Sequence, residues 1–341
     1  MAIRVGVIGY GYWGPNLVRN FAKVDECQII AVADVSPKRL QIAQKQHPFL
    51  EATTSADELI KRTDIDALAI ATPVATHYAL AKSALEHGKH VLVEKPLTEK
   101  VSQACELIEL ANRHKKTLMV DHTFIYSGAV RKIKELITQG EIGDIYYFDS
   151  VRVNLGLFQH DVNVLWDLCP HDFSIMSYLI EKEPISVSAI GASHIHYGNK
   201  PLESVAYVTV QLEGGILAHF HVNWLSPVKI RRTLIGGSKK MIVYDHLDPD
   251  NQVKVYDKGV EVATSEERYQ ALIQYRTGDM YAPKLDQTEP LELVCKHFVE
   301  CVRTGKTPLT DGEAGLKVVR LLEAAQQSLQ FAGAVVKLDD T

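Results

Sequence analysis

Cysteine is scarce and unpatterned in this 341-residue chain: five residues, at positions 27, 105, 169, 295 and 301, with no C-x-x-C pair. An odd, scattered set argues against a disulfide framework and against a cysteine-built zinc site, so no metal is expected, and it suits a reducing cytoplasm. No run of 18 apolar residues occurs, and the stretch Val5 to Ile8 is too short for the core of a signal peptide. The sequence therefore predicts neither a membrane span nor secretion by that route. Basic charge is not in excess, with 37 Lys and Arg against 42 Asp and Glu. That balance argues against general nucleic-acid binding, which needs cations to neutralise phosphates. Internal repeats, low-complexity tracts and Gly/Ser linkers are also missing. What remains, 46% hydrophobic and 23% charged residues, is the composition of a globular protein with one large or two ordinary domains.

The N-terminal third alternates two periodicities. Ile3 to Ile8 is a nearly continuous apolar run ending at Gly9, as in a strand buried on both faces of a parallel sheet. Similar runs follow at 28–34, 66–72, 90–95 and 117–121, separated by helical patterns from Pro15, from Ser36, from His77 to His87 and from Ser102 to His114. Five strands alternating with helices imply crossover connections and a doubly wound parallel sheet. From about residue 145 short strand-like segments joined by turns predict a large, mostly antiparallel open sheet. A helical pattern at 165–179 interrupts them, and helices return at 290–303 and 312–331. The fold expected is α/β: a dinucleotide-binding domain over 1–123, then an α+β domain over 124–341 for substrate and assembly. An open sheet with helices mainly on one side must cover its other face, so a homodimer or homotetramer is expected rather than a monomer.

Gly9-Tyr10-Gly11-Tyr12-Trp13-Gly14 fits G-x-G-x-x-G between the first strand and the first helix. Chance would produce the three glycines in about 0.08 places in such a chain. The first glycine permits a tight turn, the second lets backbone approach a pyrophosphate, and the third lets helix pack on strand, while the helix N-terminus offers N–H groups to the phosphates. Asp34 ends the second strand, 20 residues beyond Gly14, where a carboxylate bonds ribose hydroxyls and repels a 2′-phosphate. The expected cofactor is NAD before NADP, a preference that Lys38 and Arg39 would soften if they turned inward.

Two further places carry chemistry. Glu94-Lys95-Pro96 ends an apolar strand in a charged pair and a proline, which puts Lys95 at the carboxyl edge of the parallel sheet, where ligands of open α/β sheets bind. In Asp167-Leu168-Cys169-Pro170-His171 the D-x-x-x-H spacing would set acid and imidazole on one helical face, although Pro170 leaves a helix start as an alternative.

With Thr72-Pro73 after the apolar run DALAIA, these motifs resemble, over essentially the whole chain, the Gfo/Idh/MocA family of nicotinamide-dependent sugar oxidoreductases. The resemblance implies a Rossmann domain followed by an α+β domain whose open sheet often serves as an oligomer interface. It implies catalytic positions at Lys95, Asp167 and His171, and a nicotinamide side lined by Thr72, Pro73, His77 and Glu94. The segments 122–137 and 151–172 look most like members acting on nucleotide-linked sugars and sugar acids. In such a site His171 has the ordinary pKa of a proton-transfer group, Asp167 would hold its tautomer, and Lys95 would stabilise developing alkoxide. A lysine beside nicotinamide could also be the base itself, and the residues do not choose between the two.

Arg152 and Asn154 alternate on one strand face and, with Tyr126, are candidate substrate contacts; a polar sheet face without ligand is the other reading. His219, His221 and Asn223 alternate likewise and read as a polar face or subunit interface, and Trp224 as packing. A free-polyol dehydrogenase of the inositol type and a dinucleotide sensor without turnover are the competing functions.

Overall fold

The computed structural model describes residues 2–156, 162–194, 196–197, 200–257, 259–262, 273–276 and 278–338. Residues 157–161, part of the segment read above as resembling nucleotide-sugar enzymes, lie outside the described residues. The chain divides into two compact units, Met1–Ser127 with Thr288–Arg320, and Gly128–Gln287 with Leu321–Thr341. The first is thus built from two stretches of chain, a return that a single boundary near residue 123 does not foresee.

In the first unit the order is β1 (Ile3–Ile8), α1 (Gly14–Phe21), β2 (Cys27–Ala33), α2 (Pro37–Gln46), β3 (Glu51–Thr53), α3 (Ala56–Lys61), β4 (Ala67–Ile70), α4 (Val74–Glu86), β5 (His90–Glu94), α5 (Val101–His114) and β6 (Leu118–Asp121). The strands form one parallel sheet in the order β3-β2-β1-β4-β5-β6. Five strands were expected and six are present. The additional one, β3, is a three-residue edge strand with no buried residue, so it carries no apolar run to read. All four residues of β4 and of β6 are buried, as parallel strands covered on both faces must be. Leu59, Leu68, Leu85, Leu107 and Val93 form one core, which Leu316 and Val319 of the second stretch join. The strand order reverses between β1 and β4, and such a switch point opens a crevice at the carboxyl ends of the strands.

The second unit runs α6 (Gly128–Thr138), β7 (Ile145–Leu155), α7 (Val164–Leu179), β8 (Pro184–Ala192), β9 (His196–Tyr197), β10 (Lys200–Pro201), β11 (Val205–Leu212), β12 (Leu217–Asn223), β13 (Leu225–Gly237), β14 (Met241–Asp245), β15 (Val253–Tyr256), β16 (Gly259–Val262), β17 (Ile273–Arg276) and β18 (Met280–Tyr281). Helices α8 (Pro290–Thr304) and α9 (Gly312–Gln330) and strand β19 (Val336–Lys337) follow. Nine of these strands make one sheet, β18-β15-β14-β13-β7-β12-β11-β8-β19, antiparallel throughout except where β12 runs parallel to β7. Helix α7 packs on one face, with Phe173 edge-on to Phe220 at 4.8 Å between centroids. On the other face the register lines up Ile190 with Tyr207, Tyr207 with His221, and Leu217 with Tyr147. Ile190 and Leu217 there are more than half exposed.

Candidate active site

The carboxyl edge of the parallel sheet collects most of the residues singled out in the sequence. Gly9 leaves β1 with φ +95°, and a methyl group on it would stand 2.4 Å from the Ala71 carbonyl oxygen. A methyl on Gly14 would stand 2.1 Å from the Gly9 oxygen, so the turn closes only with glycine at both places. Gly11 has room beside it, and Tyr12 and Trp13 project from the turn, Tyr12 mostly exposed and edge-on to Trp13 at 5.5 Å. Helix α1 starts here with no side-chain cap and no acidic residue in its first turn. Its leading N–H groups therefore keep the character of an anion site.

Asp34, just beyond β2, is buried and accepts the Tyr10 N–H at 2.7 Å and the Ser36 N–H at 2.8 Å. Those bonds fix the carboxylate beside the glycine turn. Arg39 does turn inward, its Nη1 3.5 Å from Asp34 and near the open side of Gly11. The glycine cradle, uncapped helix start and fixed carboxylate fit the pyrophosphate and ribose of a dinucleotide.

Thr72 and Pro73 lie between β4 and α4, Pro73 at the cap of the helix. His77 is buried on that helix between two carbonyl oxygens, Nε2 at 2.8 Å from Thr72 O and Nδ1 at 2.9 Å from Pro96 O. Burial holds its imidazolium below the ordinary histidine range despite those two acceptors. Through those two carbonyls the ring ties the Thr72 turn to the Glu94-Lys95-Pro96 turn. Lys95 is half-buried, and its charge acts on His77, Glu94, Asp121 and His122.

In the second unit α7 runs unbroken through Pro170, so Asp167 and His171 stand one turn apart on one face, both half-buried. Asn163 caps the helix by accepting the Trp166 N–H at 3.2 Å. Asp167 Oδ2 accepts the indole N–H of Trp224 at 3.0 Å. Trp224, buried as expected of a packing residue, therefore also orients a candidate catalytic carboxylate.

The three candidate substrate contacts are placed as follows. Arg152 is buried, and its fork donates to both oxygens of Asp172, at 2.7 and 2.9 Å, beneath α7. Tyr126 belongs to the first unit, fully covered, with its hydroxyl 3.3 Å from Thr310 Oγ1 and its ring against His297. Asn154 is half-buried near the end of β7. On the open sheet face Tyr207 stacks on His221 at 4.4 Å. Sequence reasoning did not single out Asp121, His122 or Asp172, all buried polar groups; Asp172 takes its partner Arg152 from β7, and Asp121 stands opposite Glu94 of β5 in the strand register.

The fold and the glycine site define a nicotinamide-dinucleotide protein of the Rossmann type. Residues 3–122 match the family described as "Oxidoreductase family, NAD-binding Rossmann fold", and residues 134–338 match its C-terminal alpha/beta domain. The chain belongs to the Gfo/Idh/MocA oxidoreductase family. It is 25% identical to the myo-inositol 2-dehydrogenase of Thermotoga maritima, over 99% of each chain. To the UDP-N-acetylglucosamine 3-dehydrogenase of Acidithiobacillus ferrooxidans it is 28% identical, over 75% of this chain and 78% of that protein. A solved structure of the latter enzyme superposes with TM-score 0.79 at 23% identity, covering 97% and 98% of the two chains. The protein is therefore an NAD-binding oxidoreductase, and no described helix is long and apolar enough to cross a membrane.

Proposed function

We propose that the protein oxidises a secondary alcohol of a nucleotide-linked sugar or sugar acid, or reduces the matching ketone. The observation that carries this reading is the carboxyl edge of the sheet, where the glycine cradle and Asp34 sit in one unit with the Lys95 turn. Bound NAD supplies the hydride acceptor. Lys95 donates a hydrogen bond to the substrate oxygen and stabilises its developing charge. His171 takes the hydroxyl proton, held in one tautomer by Asp167, which Trp224 orients. Arg39 leaves NADP as the weaker alternative. Asn154 is the candidate substrate contact, since Arg152 is taken up by Asp172 and Tyr126 is covered within the first unit. Similarity to the UDP-N-acetylglucosamine enzyme supports the nucleotide-sugar reading. A free polyol is the second reading, favoured by the full-length similarity to a myo-inositol 2-dehydrogenase. A second copy of the chain covers the open sheet face around Tyr207 and Leu217 in a dimer or tetramer, and the enzyme works in the cytoplasm.

The test is absorbance of reduced nicotinamide while protein and NAD are offered UDP-sugars, UDP-sugar acids and free polyols, beside a Lys95→Ala control. Reduction with a UDP-linked compound, absent in the control, is expected. Turnover with polyols alone would replace the first reading by the second.

A further inference from the structure

The first unit holds a cavity of about 410 Å³ that the mechanism above does not use. Its walls are the first residues of β5 and β6, the C-terminal turn of α5, the end of α8 and the segment leading into α9. It lies at the amino edge of the parallel sheet, whereas Gly9, Asp34 and Lys95 stand at the carboxyl edge, about 13 Å away along five-residue β5. Ile108, Leu118, Val302 and Pro308 supply an apolar lining, and the volume is that of a site for a small organic molecule rather than a bare ion.

Three lysines, Lys115, Lys116 and Lys306, line the same cavity. The ammonium of Lys306 stands 3.3 Å from Glu300, while Lys115 and Lys116 make no ion pair among the described residues. Lys115 ends α5 in the left-handed conformation, φ +53°, a place that glycine ordinarily fills. Gly305 fills the equivalent place at the end of α8, on the same cavity. Compensation of the helix dipole does not call for a lysine there, because Arg113 and His114 already stand in the last turn of α5. A side chain held where its backbone is strained points to a use for its charge. His90 adds a neutral donor: its Nδ1 accepts the Thr117 N–H at 3.0 Å, and burial and the Lys116 charge hold the imidazolium down to about 4, so the ring carries its proton on Nε2. Of opposite sign, Asp311 and Glu313 line the cavity at the start of α9, where Asp311 Oδ1 accepts the Ala314 N–H at 2.9 Å.

We propose that this cavity is a second ligand site for a small organic phosphate, a phosphorylated sugar or nucleoside whose phosphate meets Lys115, Lys116 and Lys306 and whose hydroxyl or N–H donors meet Asp311 and Glu313. Lysine suits phosphate as a point charge, and three of them match a group that carries about two negative charges at neutral pH. The two acids repel a second anionic group, so the organic part is neutral and hydrogen-bonding. Asp311 caps the start of α9, so the lysines hold the anion and that helix end does not.

Hydrogen–deuterium exchange on NAD-saturated protein, with the glycine cradle already filled, reads the site directly. The probes are glucose 6-phosphate and uridine 5′-monophosphate at millimolar concentration, with inorganic phosphate beside them. Protection of residues 112–118 and 304–313 by at least one organic phosphate is expected, and the one that protects more tells a sugar source from a nucleotide source. Lys115→Glu/Lys116→Glu should weaken that binding by at least about tenfold in calorimetry. Lys115→Gly relaxes the left-handed turn and removes one cation, so it should melt at or above the wild-type temperature and still bind more weakly. Absence of protection by either organic phosphate, equal protection by inorganic phosphate, or unchanged affinity in the double variant would overturn the site. A Lys115→Gly protein that melts lower and binds as tightly as wild type would overturn it too, because Lys115 would then serve the fold alone.

Discussion

Replacing Arg152 by methionine separates a structural arginine from a substrate-binding one. The Arg152–Asp172 pair is covered on both sides, 5% and 4% exposed, with two donor-acceptor distances under 3 Å. Removing the guanidinium leaves the Asp172 carboxylate buried beneath α7 with no counter-charge, a change that costs about 3–5 kcal/mol. For a unit of this size each kcal/mol lowers the melting temperature by about 2–4 °C, so a drop of roughly 6–20 °C is expected. Arg152→Met/Asp172→Leu removes both charges and recovers most of that loss, because an apolar pair has nothing left to desolvate. Thermal melts followed by circular dichroism provide the reading, with KM for the sugar measured on the protein that remains folded. Melting within about 2 °C of wild type together with a raised KM would refute the reasoning and restore Arg152 as a substrate contact.

Gly14→Ala places a methyl group 2.1 Å from the Gly9 oxygen, so the phosphate turn must open; NAD affinity should fall at least about tenfold by calorimetry, and a wild-type affinity would contradict the cradle. Trp224→Phe keeps most of the ring but removes the bond to Asp167, and kcat should drop by about tenfold or more with KM little changed; an unaltered kcat would mean that Asp167 is oriented by other contacts. His122 titrates at about 3 in the fold against about 6.5 in an unfolded chain, so the unfolded state binds the extra proton, and this contribution is complete above about 6.5 and is lost as pH falls toward 3. His90 and His246, each at about 4, act with the same sign and Glu94 with the opposite one, so the comparison of denaturant midpoints is wild type against His122→Leu; equal pH slopes in the two proteins would contradict the account.

Local causes made much of the molecule legible in its sequence. The apolar run into Gly9 and the helix starting at Gly14 depend on neighbours in the chain, and both stand where the periodicity put them. The D-x-x-x-H pair needed only a continuous helix, which α7 provides despite Pro170. Strand alternation put Arg152 on a face but could not say that this face lies under α7, where Asp172 takes both arms of its fork. Asp121 read as the polar end of an apolar strand, because its partner Glu94 comes from another strand and the register that joins them is not written in either segment. Edge strand β3 has three residues and no buried one, too little pattern for any reading.

Single-turnover reduction of NAD, with substrate identified from the panel and NAD binding measured in parallel, tests the central claim most directly. Wild type, Lys95→Ala and His171→Ala should bind NAD alike, while the reduction step slows by orders of magnitude in both variants. Reduction at the wild-type rate in either variant would contradict the role given to that residue, and in both it would overturn the proposed proton-transfer set.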